Sequence, residues 1–200
     1  MSWWDDYATR EGVFGVAPSE YDELTLRQAR YIWSRLSVED DPVIRLVDVG
    51  CGIGRIMQAV RQQHSHVSLV GVDTSHSMLA AAFDNVAPPV ALTTQTGGRF
   101  ARRADGAWCV LVMQHLDDND AAELMARIAQ HLQCPGARLV SQWLIGDPDN
   151  STQRSYPRTQ QTVTSLITAA GLEVVSVDSD DDVTSYSAEW IWVTAERPLP

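Results

Sequence analysis

One apolar segment of the chain is followed by an acidic residue and by three alternating glycines, in the stretch LVDVGCGIG. The acid is Asp48, and the glycines are Gly50, Gly52 and Gly54. Glycine adopts positive φ and leaves space where other residues carry Cβ, so such a turn lets the backbone approach a ligand closely. A helical pattern over residues 55–62 comes next. A strand, a glycine turn and a helix in this order predict a site for an adenosine-containing cofactor.

The spacing of the glycines distinguishes two kinds of cofactor. A dinucleotide-binding turn has glycines at its first, third and sixth positions. Counted from Gly50, the sixth position here is Arg55, and the last glycine comes one residue earlier. Asp48 would also repel a pyrophosphate. S-adenosylmethionine fits better, because it has no phosphate, its cationic groups are attracted by an acid, and its carboxylate suits the helix N-terminus after Gly54.

A second acid, Asp73, closes the apolar segment 67–72. It follows the glycine turn by about 20 residues, where dinucleotide-type sites place the acid that binds ribose hydroxyls. The alternative is that Asp73 belongs to a helix N-cap region, since Thr74 and Ser75 come directly after it. We favour the ribose role because of the glycine turn before it.

Strand and helix patterns alternate from residue 45 onward and predict an α/β fold. Leu26, Ala29, Trp33 and Leu36 predict a further helix before them. Near-continuous apolar runs are typical of strands covered on both faces, so we expect a Rossmann-like, doubly wound, mostly parallel sheet with helices on both faces. The predicted strands are 45–49, 67–72, 90–95, 107–113, 137–143, 172–178 and 189–196.

The composition predicts one cytoplasmic domain with an N-terminal cap segment (1–44) and a cofactor-binding core (45–196). The N-terminal residues lack the pattern of a signal peptide. The longest apolar run, 107–113, is far shorter than the ~20 residues of a membrane helix. The net charge of −11, with arginine as the only cation besides histidine, disfavours nucleic acid as a partner.

No metal site is predicted. The cysteines Cys51, Cys109 and Cys134 are far apart and have no histidine at ligand spacing, which argues against zinc and against a disulfide framework. The acidic run DSDDD (178–182) is interpreted as a solvated loop between the last two strands.

Five segments together resemble the class I S-adenosylmethionine-dependent methyltransferases of the small-molecule type. They are DVGCGIG (48–54), GVD (71–73), AWCVLVMQHL (107–116), CPGARLV (134–140) and TVTSLITAAGLEVV (162–175). The resemblance implies a seven-stranded sheet whose last strand, 189–196, is antiparallel and lies beside the fifth. It also implies that the three glycines line the methionine moiety and that Asp73 holds the ribose.

The resemblance also suggests which further residues contact the cofactor. The family often has an acid after the third strand that contacts the adenine, but this chain has Thr96 and Gly97 there. Gln95 or a backbone group is the expected substitute, and Tyr7 resembles a tyrosine that many members place near the cofactor. The predicted cofactor-binding residues are Asp48, Gly50, Cys51, Gly52, Gly54, Asp73, Thr74, Gln95, Thr96, Met113, Gln114 and Tyr7.

His115 is the candidate general base, because it follows the fourth strand at the cofactor edge and a free imidazole is largely neutral at pH 7. The alternative is that Gln114 and His115 contact adenine or cap the next turn. The expected reaction is in-line transfer of a methyl group to a small molecule, with specificity from residues 1–21 and 143–156.

Three alternatives remain open: methylation of nucleic acid, methylation of protein, and a catalytically silent cofactor-binding module. Adenine-amino methyltransferases have a proline-containing tetrapeptide after the fourth strand, and it is absent at residues 113–116. Cytosine-C5 methyltransferases use a cysteine followed by proline at the same edge, but Cys134–Pro135 lies before the fifth strand and is interpreted as a turn. Neither the acceptor atom nor the oligomeric state follows from the sequence.

Overall fold

The computed structural model describes residues 18–38, 44–94, 104–132, 134–150, 155–180 and 189–199. The helices and strands follow one another in the alternating order that the sequence predicts. The helices are α1 (Pro18–Leu36), α2 (Arg55–Gln63), α3 (His76–Asn85), α4 (Asp118–His131) and α5 (Gln160–Ala169). The strands are β1 (Arg45–Val49), β2 (Ser68–Val72), β3 (Val90–Thr93), β4 (Gly106–Cys109), β5 (Arg138–Ile145), β6 (Glu173–Ser179) and β7 (Glu189–Glu196).

The seven strands form one sheet in the order β3-β2-β1-β4-β5-β7-β6. The pairs β1–β2, β1–β4, β2–β3 and β4–β5 are parallel, whereas β7 is antiparallel to both β5 and β6. The predicted seven-stranded, mostly parallel sheet with an antiparallel last strand beside the fifth is therefore confirmed. The strand order reverses direction at β1, so ligands are expected beyond the carboxyl ends of β1 and its neighbours.

Helices cover both faces of the sheet, and each face has its own apolar core. On one face, Val47 and Val49 of β1 share a buried cluster with residues of α4 and α5. On the other, Leu46 packs in a cluster with residues of α1 and α2. Successive residues of a strand point to opposite faces, which explains why β1 is apolar at nearly every position.

The fourth strand is shorter than predicted. It ends at Cys109, and Leu111 has a positive φ of 57°. Residues Met113–His115 then form a short 3₁₀ helix. The prediction of a strand to residue 113 was wrong because the apolar run does not stop with the strand: Val110, Leu111 and Val112 instead line a cavity at its end.

The acidic run between the last two strands is also different from the prediction. Asp178 lies in β6 and accepts a hydrogen bond from the Tyr31 hydroxyl at 2.8 Å. Asp180 is buried, and its carboxylate accepts a hydrogen bond from the Gln142 side chain at 2.5 Å. The interpretation of these two residues as solvated was wrong, because partners on α1 and β5 lie far from them in sequence. No group of three or more potential metal ligands occurs in the described parts of the chain.

Candidate active site

A cavity of about 460 Å³ lies beyond the carboxyl ends of β1, β2 and β4. Its wall contains seven residues that the sequence predicts for the site: Asp48, Gly50, Cys51, Gly52, Asp73, Thr74 and His115. These come from β1 itself and from the loops after β1, β2 and β4, and the parallel sheet brings them to one edge.

The three glycines of the turn after β1 have different surroundings. All have positive φ, between 52° and 76°. A Cβ on Gly50 would lie 2.1 Å from Cγ2 of Val112, and one on Gly54 would lie 2.5 Å from Cγ2 of Val86. A Cβ on Gly52 would meet nothing within 4 Å. Gly50 and Gly54 therefore allow close packing inside the protein, whereas Gly52 leaves its space open at the cavity wall.

Asp73, directly after β2, holds the glycine turn in place. One carboxylate oxygen accepts from the Gly52 amide at 2.8 Å, and the other accepts from the Ser75 amide at 2.9 Å. The N-cap of α3 is Ser75, whose hydroxyl accepts from the Met78 amide. A carboxylate accepts about four hydrogen bonds, so these two contacts are compatible with a ligand's hydroxyl groups.

Asp48 is a fully buried carboxyl group at the cavity wall. Burial raises its pKa to about 7, and Asp73 adds to that rise, while the Trp108 indole and the Arg55 guanidinium oppose it. Burial also raises the pKa of the neighbouring Cys51 thiol, which is therefore a neutral group at physiological pH.

Arg55 is a cavity-wall residue that the sequence prediction missed. It begins α2, and its Nη1 donates to Oε1 of Gln28 at 2.5 Å and to the Thr25 hydroxyl at 3.3 Å. Its guanidinium carbon lies 5.8 Å from the centre of the Tyr21 ring. The two hydrogen-bond partners belong to α1 and lie 27 and 30 residues earlier in the chain, so no local sequence pattern reveals them. One signal in the sequence could have found Arg55. It is a cationic residue at the start of the helix after Gly54, where the sequence predicts that the cofactor's carboxylate binds.

The loop between β4 and α4 forms the opposite wall with His115 and Leu116. The Gln114 amide nitrogen lies 3.0 Å from Nε2 of His115. This hydrogen bond fixes the orientation of the imidazole ring. Gln114 and Met113 are buried and do not line the cavity.

A buried arginine, Arg158, joins this loop to the segment after β5. Its guanidinium donates to the Met113 carbonyl at 2.8 Å, the Leu116 carbonyl at 2.6 Å and the Asp118 carboxylate at 2.8 Å. The guanidinium also lies 5.7 Å from the Trp143 ring centre. The carbonyl groups on either side of His115 are thus fixed by a residue that is distant in sequence.

Some predicted residues have a different position or lie outside the described parts of the chain. Gly54 is in the turn but is not a wall residue. Tyr7, Gln95 and Thr96 lie outside the described residues, so their predicted contacts stay predictions. The same holds for residues 1–17 of the cap segment. Among the described residues, no helix is both long and apolar enough to cross a lipid bilayer.

Comparisons with known proteins agree with this geometry. Residues 46–136 match the sequence profile of a family described as "Methyltransferase domain". The sequence has no significant match among curated proteins.

Solved structures show the same fold. One is a S-adenosylmethionine-dependent methyltransferase of Leishmania major, with 19% identity and a TM-score of 0.77 over 96% of this chain and 80% of that one. A second is the [4+2]-cyclase SpnF, with 15% identity and a TM-score of 0.75 over 88% and 82%. A third is the magnesium protoporphyrin IX methyltransferase of Synechocystis PCC 6803 with bound S-adenosylmethionine, with 15% identity and a TM-score of 0.65 over 90% and 80%.

Proposed function

We propose that the chain is a class I S-adenosylmethionine-dependent methyltransferase that transfers the cofactor's methyl group to a small-molecule acceptor. Residues 46–136 match a methyltransferase-domain profile, and solved S-adenosylmethionine-dependent methyltransferases have the same fold. The observation that carries this proposal is the cavity in which the open side of Gly52, the Asp73 carboxylate and His115 face the same space. The net charge of −11 disfavours a polyanionic acceptor. One structural neighbour, a magnesium protoporphyrin IX methyltransferase, acts on a porphyrin by its name.

The cavity wall suits the cofactor chemically. Asp73 has the position at the end of β2 from which a carboxylate binds ribose hydroxyls. Asp48 lies beside the glycine turn, where an acid attracts an ammonium group. Gly52 supplies the open backbone at which a ligand can approach. Thr74 and Cys51 complete the predicted contacts on this side of the cavity.

The cofactor, when bound, supplies a methyl group that is already activated by a positively charged sulfur. The protein's task is then to place the acceptor atom in line and to exclude water, and such positioning is worth roughly 7–11 kcal/mol. The wall formed by Leu111, Val112 and Leu116 is apolar and serves this exclusion. An acceptor that carries a proton also needs a base.

His115 is the residue we propose for that base. The hydrogen bond between the Gln114 side chain and Nε2 fixes the orientation of the imidazole ring, and the Arg158 contacts hold the loop on both sides. His115→Gln is expected to lower kcat by about 10²–10⁴-fold, the usual contribution of a positioned base. The affinity for S-adenosylhomocysteine is expected to stay the same. A loss of that affinity with an unchanged kcat would show that His115 contacts the cofactor instead.

The cofactor assignment is tested with Asp73→Ala. Removing a carboxylate that binds two hydroxyl groups is expected to weaken S-adenosylhomocysteine binding at least about tenfold, because each hydrogen bond to a charged group is worth about 1.5–3 kcal/mol. Isothermal titration measures this. Asp84→Ala, on the exposed surface of α3, removes the same charge and is the matched control. Equal affinities of Asp73→Ala and the wild type would end the ribose role.

The acceptor class is tested with S-adenosylmethionine carrying a labelled methyl group. The purified enzyme and the labelled cofactor are added to a cell extract from which the endogenous enzyme has been removed. The label is then measured in the small-metabolite, protein and RNA fractions of that extract. Transfer to small molecules supports the proposal, and transfer to protein or RNA contradicts it. Cofactor binding with no transfer to any fraction would favour a silent binding module.

A further inference from the structure

We propose that the methyl acceptor carries a cationic group, an ammonium or a guanidinium, and that the Asp120 carboxylate on α4 holds this group in the cavity. The inference rests on the proposed methyl transfer to a small molecule and narrows the class of that molecule. It concerns the group by which the acceptor is held and does not depend on which atom receives the methyl group.

Helix α4 contributes one side to the core and another to the cavity. Its core side consists of buried apolar residues: Ala121, Met125, Ile128 and Ala129. The residues that line the cavity share a second side of the helix, because they are three or four positions apart. They are Asp120, Glu123, Leu124 and Arg127. His115 lines the same cavity five residues before Asp120, so the proposed base and this side of α4 belong to one wall.

This wall lies apart from the predicted cofactor contacts. Gly52 and Asp73 belong to the loops after β1 and β2, whereas His115 and α4 follow β4. A methyl group can be transferred only to an atom on the far side of the methyl from the sulfur, so the acceptor needs a wall of its own. The side of α4 that faces the cavity is available for this purpose.

Most acidic side chains at the start of α4 have a structural partner. Asp117 caps the helix by accepting a hydrogen bond from the Asp120 amide at 2.9 Å. Asp118 accepts from the buried guanidinium of Arg158 at 2.8 Å. Glu123 forms an ion pair with an arginine one turn later on the same helix. The positions of these three acids are thus explained by contacts within the protein.

The Asp120 carboxylate differs from its neighbours. It makes no hydrogen bond or ion pair with any group in the portion of the chain that the structure describes. The helix dipole favours a negative charge in the first turn, which accounts for an acid at this position. The dipole does not depend on the side of the helix on which the acid lies, however, so it leaves the place of Asp120 on the cavity wall unexplained. A cationic ligand accounts for that place.

The surroundings of Asp120 favour a ligand with an apolar body and a cationic end. Leu116 and Leu124 add apolar surface to the same wall, and apolar walls strengthen the attraction between a carboxylate and a cation. Arg127 also lines the cavity, but it pairs with Glu123 and these two charges offset each other. The net charge of −11 attracts cations toward the protein at longer range.

The first test determines the charge of the methylated product. The purified enzyme is incubated with labelled S-adenosylmethionine and the small-metabolite fraction of a cell extract, and the product is separated from the cofactor by reversed-phase chromatography. It is then applied to a cation exchanger at about pH 2, where carboxyl groups are protonated and amines remain charged. We expect the labelled product to be retained and to be released by salt. A product that passes through contradicts the inference, although the proposed function stands.

The second test assigns the recognition of the cation to Asp120. Initial rates with serial dilutions of the same metabolite fraction give the apparent KM and kcat. Asp120→Asn removes the charge and keeps the size of the side chain, so the KM is expected to rise about 5- to 20-fold with little change in kcat. Asp120→Glu keeps the charge and is expected to retain most of the affinity. Asp84→Asn removes a charge from the exposed surface of α3 and is the matched control, with the KM of the wild type.

Salt separates an electrostatic contact from a structural role. Raising the ionic strength from about 0.01 M to about 0.15 M shortens the screening length from roughly 30 Å to roughly 8 Å. The KM of the wild type and of Asp84→Asn is expected to rise with salt, and the KM of Asp120→Asn is expected to rise less. Circular dichroism checks that each variant is folded. If Asp120→Asn is unfolded, the charge of the product and the salt dependence of the wild type decide.

The outcomes distinguish the inference from the proposed function. If Asp120→Asn has the same KM as Asp84→Asn, the carboxylate does not hold the acceptor and the inference is wrong. If Asp120→Asn lowers kcat and leaves the KM unchanged, Asp120 supports the His115 loop, and the inference is wrong as well. If no small molecule is labelled, the proposed function itself fails, and the inference fails with it.

Discussion

Asp48 lies at the end of β1 with its carboxyl group removed from water, and burial is the main reason why its pKa is raised to about 7. Isolated carboxyl groups titrate near pH 4. A buried acid that titrates near neutrality is unusual in a structural role, and it is typical of sites where a ligand or a reaction uses the charge. The cationic end of the cofactor would favour the ionised form.

The raised pKa of Asp48 predicts a pH-dependent stability. Between about pH 4 and about pH 7 the folded protein holds a proton on Asp48 that the unfolded chain has released. The contribution of this proton to the free energy of unfolding is therefore full below about pH 4 and is lost as the pH rises through about 7. The slope for one proton is about 1.4 kcal/mol per pH unit. Asp48→Asn cannot ionise and is expected to lack this loss.

Urea unfolding of the wild type and Asp48→Asn across this pH range measures the difference between the two free energies of unfolding. Taking the difference cancels the contributions of all other groups. Asp84→Asn, on the exposed surface, is expected to follow the wild type. Parallel curves for the wild type and Asp48→Asn would show that Asp48 titrates normally.

Residue types and spacing predicted the acids and glycines of the site because these lie directly after strands, where a parallel sheet brings them together. The same reasoning missed Arg55, whose orientation depends on Gln28 and Thr25 in a helix outside the motif. It also placed Met113 and Gln114 at the ligand, whereas both are buried away from the cavity wall. The sequence shows which residues lie at the sheet edge. The backbone conformation of the turn after each strand decides whether their side chains line the cavity.

At the scale of secondary-structure elements, the glycine turn contacts two other loops. Its Gly50 packs against Val112 after β4, and its Gly54 packs against Val86 at the end of α3. The Gly52 amide is bonded to Asp73 after β2. The glycine pattern thus fixes the relative positions of loops at the sheet edge as well as the approach of a ligand.

The loop with His115 depends on Arg158, which donates hydrogen bonds to two of its carbonyl groups and to Asp118. Arg158→Ala leaves these buried carbonyl groups without their partner, and each bond to a charged group is worth about 1.5–3 kcal/mol. We therefore expect Arg158→Ala to lower the free energy of unfolding by about 2–4 kcal/mol. Hydrogen exchange of the amides in residues 113–118 is expected to become faster.

Arg127→Ala is the control for this experiment. Arg127 forms an exposed ion pair with Glu123 one turn away, and such pairs contribute about 0.3–0.5 kcal/mol. Urea unfolding measures both variants. A loss for Arg158→Ala as small as that for Arg127→Ala would show that the loop keeps its conformation without the buried guanidinium.

At the scale of the whole molecule, the doubly wound, mostly parallel sheet was predictable because alternating strands and helices with right-handed crossovers allow few topologies. The antiparallel direction of β7 and its position beside β5 came from family resemblance, since apolar patterning does not show strand direction. The burial of Asp180 shows the limit of local reasoning. Its partner Gln142 lies 38 residues away on β5, and an acidic run read alone suggests only a solvated loop.

The net charge of −11 leads to the last prediction, which concerns partners. Binding to a nucleic acid gains free energy mainly when positive side chains release counterions from phosphates, and this gain is largest at low salt. A protein with a sequence pI of about 4.7 is repelled instead. We expect no retardation of transfer RNA or duplex DNA in gel-shift experiments at low ionic strength, with or without S-adenosylhomocysteine. Binding that weakens as salt is added would reveal a local cluster of arginines strong enough to overcome the overall charge. That result would make nucleic acid the first acceptor class to test.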